Sequence, residues 1–295
     1  MLRHTPILVN EILAMIPLGA QFFLDGTLGH GGHAEYVLKQ KLEQKPNIQQ
    51  NIQYIGVDRD PAMLAKAQGF LSQYDHIRYI QSSYADLERI SSESGIAQFD
   101  RMLLDIGVNM DHFKTAERGF SIKMDGPLDM RFDTSEGITA SQRLARVKDT
   151  ELRQALTDFS DFRPKVIDTF IKYFYQNKTI FTTTHQLVQF LQDAGMNQKM
   201  IAIVFQVIRI VINGELDELQ TFLTYFPKYL AVGGRCAFLT FHSIEDRMVK
   251  LAFKQLVDTG TYQLINKHVI KPSRAEQQRN KASRSCKLRV IEKII

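Results

Sequence analysis

The stretch that decides the architecture is Gln21-Phe22-Phe23-Leu24-Asp25-Gly26-Thr27-Leu28-Gly29-His30-Gly31-Gly32-His33. Gln21 to Asp25 reads as a short apolar strand that ends on a carboxylate. Four glycines follow within seven residues, at 26, 29, 31 and 32. They let the backbone bend sharply and approach a ligand closely. Gly32 to Gln40 then has helical composition. Strand, glycine turn and helix together open a βαβ unit of the kind that holds a nucleotide. The strict G-x-G-x-x-G spacing is absent, so this segment alone also fits a tight bend without a ligand.

Working outward, the same rhythm recurs. Tyr54 to Asp58 reads as a second strand that again ends on an acid. Pro61 stands where a helix begins, with Asp60 as its N-cap, Arg59 solvated and Ala62 to Leu71 helical. Ile77 to Ile80 and Arg101 to Asp105 supply a third and a fourth strand, and Gln40 to Asn51 reads as a polar loop. Strands alternating with helices predict a parallel sheet, whose ligand lies beyond the carboxyl ends of its strands. Asp25, Asp58 and Asp105 therefore converge on one crevice. An acid at Asp58 suits the two hydroxyls of an adenosine ribose, which nicotinamide cofactors and S-adenosylmethionine share. Three carboxylates favour a cationic sulfonium over a pyrophosphate, which prefers neutral or positive surroundings.

After Asp105 the strand rhythm stops. A loop rich in charge and glycine is followed by helical patterns such as Thr150 to Phe159, Pro164 to Tyr175, His185 to Leu191 behind a threonine N-cap, and Met200 to Ile212. Alternation resumes with a helix over Glu215 to Leu230, a Gly233-Gly234 turn and a strand over Arg235 to Phe241. A helix from Ile244 to Val257 follows, capped by Ser243, then strands near Tyr262 to Ile265 and Leu288 to Ile294. The expected fold is α/β, a Rossmann-like sheet with an inserted helical domain. Residues 1–106 and 212–295 form the sheet domain, and 107–211 the insertion.

The bulk properties agree with this. The chain has 295 residues, 44% of them hydrophobic, enough for a sizeable core. Its 37 basic and 32 acidic residues give a net charge of +5, too mild to name a partner by itself. Two cysteines without metal-ligand spacing read as reduced thiols. The N-terminus lacks an apolar signal core, and the longest apolar run, Met200 to Ile212, is broken by Gln206 and Arg209. A membrane span needs about 20 residues, so a soluble, cytoplasmic protein with no membrane partner and no bound metal is expected.

Several longer motifs carry a resemblance. They include Val57-Asp58-Arg59-Asp60-Pro61, Asp105-Ile106-Gly107-Val108, Ala116 to Ser121, Asp125-Gly126-Pro127-Leu128-Asp129-Met130-Arg131 and Arg209 to Leu216. Phe241-His242-Ser243-Ile244-Glu245-Asp246-Arg247 and Ser283 to Arg289 extend it toward the C-terminus. With the glycine turn, they make the chain resemble the bacterial small-subunit ribosomal RNA cytosine-N4 methyltransferases. The resemblance implies a class I methyltransferase sheet and S-adenosylmethionine as cofactor. It implies an enzyme that methylates the exocyclic N4 amine of a cytidine in small-subunit ribosomal RNA, or in the assembled small subunit. It also implies that Gly31, Gly32, His33, Asp58, Tyr84 and Asp105 line the cofactor site, Tyr84 standing where the family usually has Phe. The family's Ser-Ser-Pro-Gln is replaced here by Asn109-Met110-Asp111-His112, which puts His112 at the position of a cofactor-binding Gln.

For catalysis, the candidate acceptors for the protons of a cytosine amine are Asp105, Asn109 and the carbonyls of Gly107 to Asn109; a role for Asp105 in cofactor binding alone also fits. His242-Ser243 either faces the reaction site or serves as a helix cap. Glu117 to Arg131 reads as a lid or an RNA-contacting loop. Lys267 to Arg289 holds eight basic residues against Glu276 alone, the best phosphate-binding stretch in the chain.

Overall fold

The computed structural model describes residues 6–15, 20–44 and 52–295, with backbone only at 40–44. The chain opens with α1 (Val9–Ala14), β1 (Phe22–Asp25), α2 (Gly32–Gln44), β2 (Gln53–Asp58), α3 (Pro61–Phe70), β3 (Ile77–Gln81), α4 (Leu87–Ser94) and β4 (Phe99–Asp105). A helical stretch follows: α5 (Met110–Lys114), a 3-10 turn (Ala116–Arg118), α6 (Ala140–Arg146), α7 (Asp149–Phe159), α8 (Pro164–Asn177), α9 (Thr184–Asp193) and α10 (Gln198–Asn213). The chain closes with α11 (Glu215–Tyr229), β5 (Leu230–Thr240), α12 (Ser243–Asp258), β6 (Tyr262–Leu264), α13 (Arg274–Arg279), a second 3-10 turn (Lys281–Ser285) and β7 (Lys287–Lys293). Two compact units result, Met1–Gly107 with Asp217–Ile295, and Val108–Leu216.

In the first unit the seven strands lie in the order β3-β2-β1-β4-β5-β7-β6. Pairing is parallel from β3 through β5, and β7 runs antiparallel to both β5 and β6. The order reverses between β1 and β4, a topological switch point where open α/β sheets bind ligands. Strands this deeply placed read as apolar runs because helices cover both faces. Phe23 and Tyr54, register partners on β1 and β2, stack at 4.7 Å, and Phe222, Phe226, Phe238 and Phe253 fill the layer under α11 and α12.

The second unit has its own core. Leu152, Leu156, Ile167, Phe170, Phe174, Phe181, Leu187, Ile201, Val204 and Phe205 are all buried in one cluster. Asn197 caps α10 through the Met200 N–H, and Gly214 ends it in the left-handed region at φ 61°. The segment 116–131 is held by its own hydrogen bonds. The Arg118 guanidinium donates to the Arg131 and Phe132 carbonyls at 2.9 and 2.8 Å, and Asp129 holds Arg131 through two bonds of 2.8 Å. The stretch expected as a lid or an RNA-contacting loop is thus a packed, hydrogen-bonded loop.

Other expectations are corrected in detail. α2 continues to Gln44, four residues into the stretch expected as a loop from Gln40, and residues 45–51 lie outside those described. β5 starts at Leu230 and passes through Gly233 with an irregularity in its register beside Phe99 and Arg101, rather than beginning after a glycine turn. His242, not Ser243, caps α12: its Nδ1 accepts from the Glu245 N–H at 3.4 Å, while Glu245 accepts from the His242 and Phe241 N–H groups. Arg59 is not merely solvated; it pairs with Glu218 at 3.0 Å. Asp60 does cap α3, accepting from the Ala62 N–H at 2.8 Å. No helix among the described residues is long and apolar enough to cross a membrane.

Candidate active site at the carboxyl ends of the strands

The glycine turn is fastened to the sheet before it meets any ligand. The Gly26 N–H donates to the Leu103 carbonyl and the Leu28 N–H to that of Val57, tying the turn to β4 and β2. Gly31 has φ +81°, and a Cβ there would lie 2.6 Å from a methyl of buried Leu71, so any other residue would be strained and would displace Leu71. Gly32 opens α2 with Pro6 packed against it, and Tyr84 packs over Gly26, with its ring edge-on to Phe222 at 5.8 Å.

Each carboxylate is held by a different local device. Asp25, only 2% exposed, accepts from the Tyr54 hydroxyl at 2.8 Å and the Thr27 N–H at 3.1 Å. Burial pushes its carboxyl up to about 6 against these bonds and the nearby His33. Asp58 accepts from the Gly29 N–H at 2.8 Å on one oxygen and the Asp60 N–H at 2.9 Å on the other. Burial outweighs those bonds and raises it, too, to about 6. The Arg59 backbone also donates to this carboxylate, so Asp58 is held in place by the turn on one side and the start of α3 on the other. Asp105 is anchored through its backbone N–H, which donates to Thr27 Oγ1 at 2.6 Å, while its side chain stays 27% exposed. Burial, then the charge of Glu245, raises it to about 7.

His33 completes this group. Its Nε2 lies 3.0 Å from the Ile7 carbonyl, which can only accept, so Nε2 carries the proton. Nδ1 then faces Asp105 Oδ2 at 3.6 Å. Burial holds the imidazole below its ordinary value, so neutral His33 presents a lone pair to a carboxyl that is poised between its acid and its ionised form near pH 7.

Of the residues anticipated from sequence, Gly31, Gly32, His33, Asp58, Tyr84 and Asp105 all belong to the first unit. Asn109 and His112 belong to the second. There Asn109 caps α5, accepting from the Asp111 N–H at 3.0 Å. The His112 ring, 4% exposed, stacks on Phe120 and Phe132 at 5.0 and 5.4 Å. Sequence reasoning missed Glu245, buried to 1% and close enough to perturb Asp105, as well as Thr27, Tyr54 and the Ile7 carbonyl. Glu245 sits in a helix-start pattern that explains its acidity locally, so nothing in the sequence pointed to Asp105.

A parallel sheet of this order, closed by a reversed β7 and lined by carboxylates beside a glycine turn, defines a Rossmann-like class I methyltransferase. Comparison with known proteins agrees. A model of the MraW methylase family matches residues 1–294. The chain is similar to "Ribosomal RNA small subunit methyltransferase H" of Synechococcus elongatus, at 34% identity over 99% of this chain and 95% of that protein. It is similar to "Ribosomal RNA small subunit methyltransferase H 1" of Lachnoclostridium phytofermentans, at 35% over 97% and 80%. A "Ribosomal RNA small subunit methyltransferase H" from Brachyspira hyodysenteriae is 32% identical over 99% of this chain and 97% of that protein. The chain belongs to the MraW methylase family, and it is an S-adenosylmethionine-dependent methyltransferase.

Proposed function

We propose that this chain methylates the exocyclic N4 amine of a cytidine in small-subunit ribosomal RNA, free or assembled into the subunit. The observation that carries the reading is the pair of strand-end carboxylates, Asp58 and Asp105, tied to the glycine turn in a chain whose full-length relatives bear the name of that ribosomal enzyme. Residues 1–106 and 212–295 are the proposed donor-binding domain, and the helical insertion the substrate-recognition domain.

The chemistry of the donor set fits S-adenosylmethionine. Asp58, a carboxylate at the end of β2, suits ribose hydroxyls, Tyr84 offers a ring for adenine, and Gly31 and Gly32 leave backbone accessible at the start of α2. Asp105 and His33 stand where negative charge and a lone pair would balance a cation. When bound, S-adenosylmethionine supplies an electrophilic methyl group on a positively charged sulfur.

The chain's own task is to make a poor nucleophile adequate. A cytosine amine has its lone pair delocalised into the ring, so holding and aligning it supplies much of the rate. Asp105, partly exposed at the strand end, accepts from an N–H of that amine and takes up the proton it sheds. His33 Nδ1, directly behind the carboxyl, gives the proton a second place to reside. Asn109 remains a further acceptor in this reading, through its carbonyl or side chain, and His112 a further donor-site residue. Purified protein, labelled S-adenosylmethionine and undermodified small subunits provide the test, with nucleoside digestion and mass spectrometry as readout. N4-methylcytidine is the expected product; a methyl group on another base or position, or none, overturns the assignment.

A further inference from the structure

We propose that residues 267–284, just before β7, form the surface on which the phosphate backbone of the RNA docks. This rests on the reading that the substrate is RNA. Of the eight basic residues between Lys267 and Arg289, two are consumed within the fold. Lys287 and Arg289 both grip Asp246, at 2.8 and 2.7 Å. The other six, Lys267, Lys271, Arg274, Arg279, Lys281 and Arg284, are exposed, and none makes an ion pair among the described residues. The one acid in the segment, Glu276, is engaged by the Leu8 N–H at 2.8 Å.

The segment is a built platform. Ile270 exchanges two backbone hydrogen bonds with Leu288, at 3.1 and 2.9 Å. Ser273 caps α13, Asn280 caps the following 3-10 turn, and Pro272, Ser283 and Cys286 are buried beneath it. Six cations on a fixed scaffold lose less entropy on binding than six on a free chain.

Topology places this platform at the site. Because β7 is antiparallel, it begins at the carboxyl end of the parallel strands, where Lys287 pairs with Thr240 and Asp105 with Leu239. The Cys286 thiol is raised by burial, then by the charges of Asp105, Glu276 and Glu245, which puts all three acids beside the base of the platform. Leu8, which holds Glu276, directly follows Ile7, which holds His33. An RNA strand on this surface has its backbone neutralised next to the crevice that takes its base. Recognition by charge alone makes the interaction independent of sequence.

The experiment measures binding of a small-subunit ribosomal RNA fragment to the full chain across a salt series. The triple variant Lys271→Gln, Arg274→Gln, Arg279→Gln is expected to bind at least tenfold more weakly at low salt. Its slope of log affinity against log salt should be shallower by about 2, at roughly 0.7 for each phosphate that is no longer neutralised. S-adenosylmethionine affinity and kcat at saturating RNA stay at wild-type values. The control Lys250→Gln, Lys254→Gln on α12 leaves the slope unchanged. If the triple variant loses S-adenosylmethionine binding through misfolding, each single variant should still flatten the slope by about 0.7. An unchanged slope, or an equal effect of the α12 control, overturns the docking surface while leaving the methylation reading intact. Failure of the wild-type chain to bind the RNA at all removes both.

Discussion

His33 Nδ1 faces Asp105 Oδ2 at 3.6 Å, and the other nitrogen of the same ring is committed to the Ile7 carbonyl. The imidazole therefore cannot turn its N–H toward the carboxylate without losing a buried bond. Burial lowers His33 and raises Asp105, so a proton held by this pair sits on the acid rather than on the imidazole. A cationic donor changes that balance, because it favours the ionised carboxyl.

Proton release should accompany donor binding. Asp25 and Asp58 titrate at about 6 and Asp105 at about 7. Affinity for S-adenosylmethionine is thus expected to rise between about pH 5.5 and 8 as the three ionise. Calorimetry at pH 6.5 in two buffers of different ionisation enthalpy should show net proton release, smaller in Asp105→Asn. Pure buffer independence would contradict the carboxyl cluster as the donor's counter-charge.

The same groups set the pH dependence of stability in the free protein. Their folded values lie above the ordinary carboxylate value of 3.8, so the native state holds protons more tightly than the unfolded chain. Their contribution is complete below about 4 and is lost as pH rises through 6 to 7. Melting temperature without donor should fall from pH 5 to pH 8, and saturating donor should reduce that fall. A scan of Tm against pH, with and without donor, checks both.

Asp58→Ala removes the acceptor left for the ribose diol, together with the acceptor for the Gly29 N–H. Hydrogen bonds to a charged group are worth about 1.5–3 kcal/mol each. Donor affinity is expected to weaken by about a hundredfold or more, measured by titration calorimetry. An affinity within threefold of wild type would move the diol to another residue.

Asp246 is the buried clamp for β7. Burial opposes its charge, yet bonds from Arg289 and Lys287 hold its carboxyl below the ordinary range. Asp246→Ala leaves two partly buried cations unpaired and should cost about 2–3 kcal/mol in denaturant unfolding. Because the folded value is depressed, the clamp's contribution exists above the unfolded value and fades as pH falls through the folded one. The difference between wild type and variant should therefore shrink in acid.

Two glycines predict opposite outcomes. A Cβ on Gly126 would meet the Ala116 carbonyl at 2.0 Å, whereas one on Gly69, inside α3, meets nothing within 4 Å. Gly126→Ala should destabilise the second unit by about 3 kcal/mol or more, seen as faster proteolysis within 108–216. Gly69→Ala should stabilise by up to about 1 kcal/mol.

Local pattern in the chain was enough for the strands ending in Asp25, Asp58 and Asp105, the glycine turn, the Asp60 cap and the run of helices after Val108. Alternation, helical period and capping chemistry act over a few residues, so they are written where they operate. The strand-end acids favoured a cationic sulfonium donor, and the family motifs added the class of enzyme. Partners brought together by sheet order were not legible. Leu8 and Glu276 are 268 positions apart, and Arg59 and Glu218 are 159 apart. Glu245 approaches Asp105 only because β5 lies beside β4. The reversal of β7 likewise decided which cations of the tail are spent on Asp246 and which face solvent. Those pairings depend on distance through the fold, which the order of residues along the chain does not record.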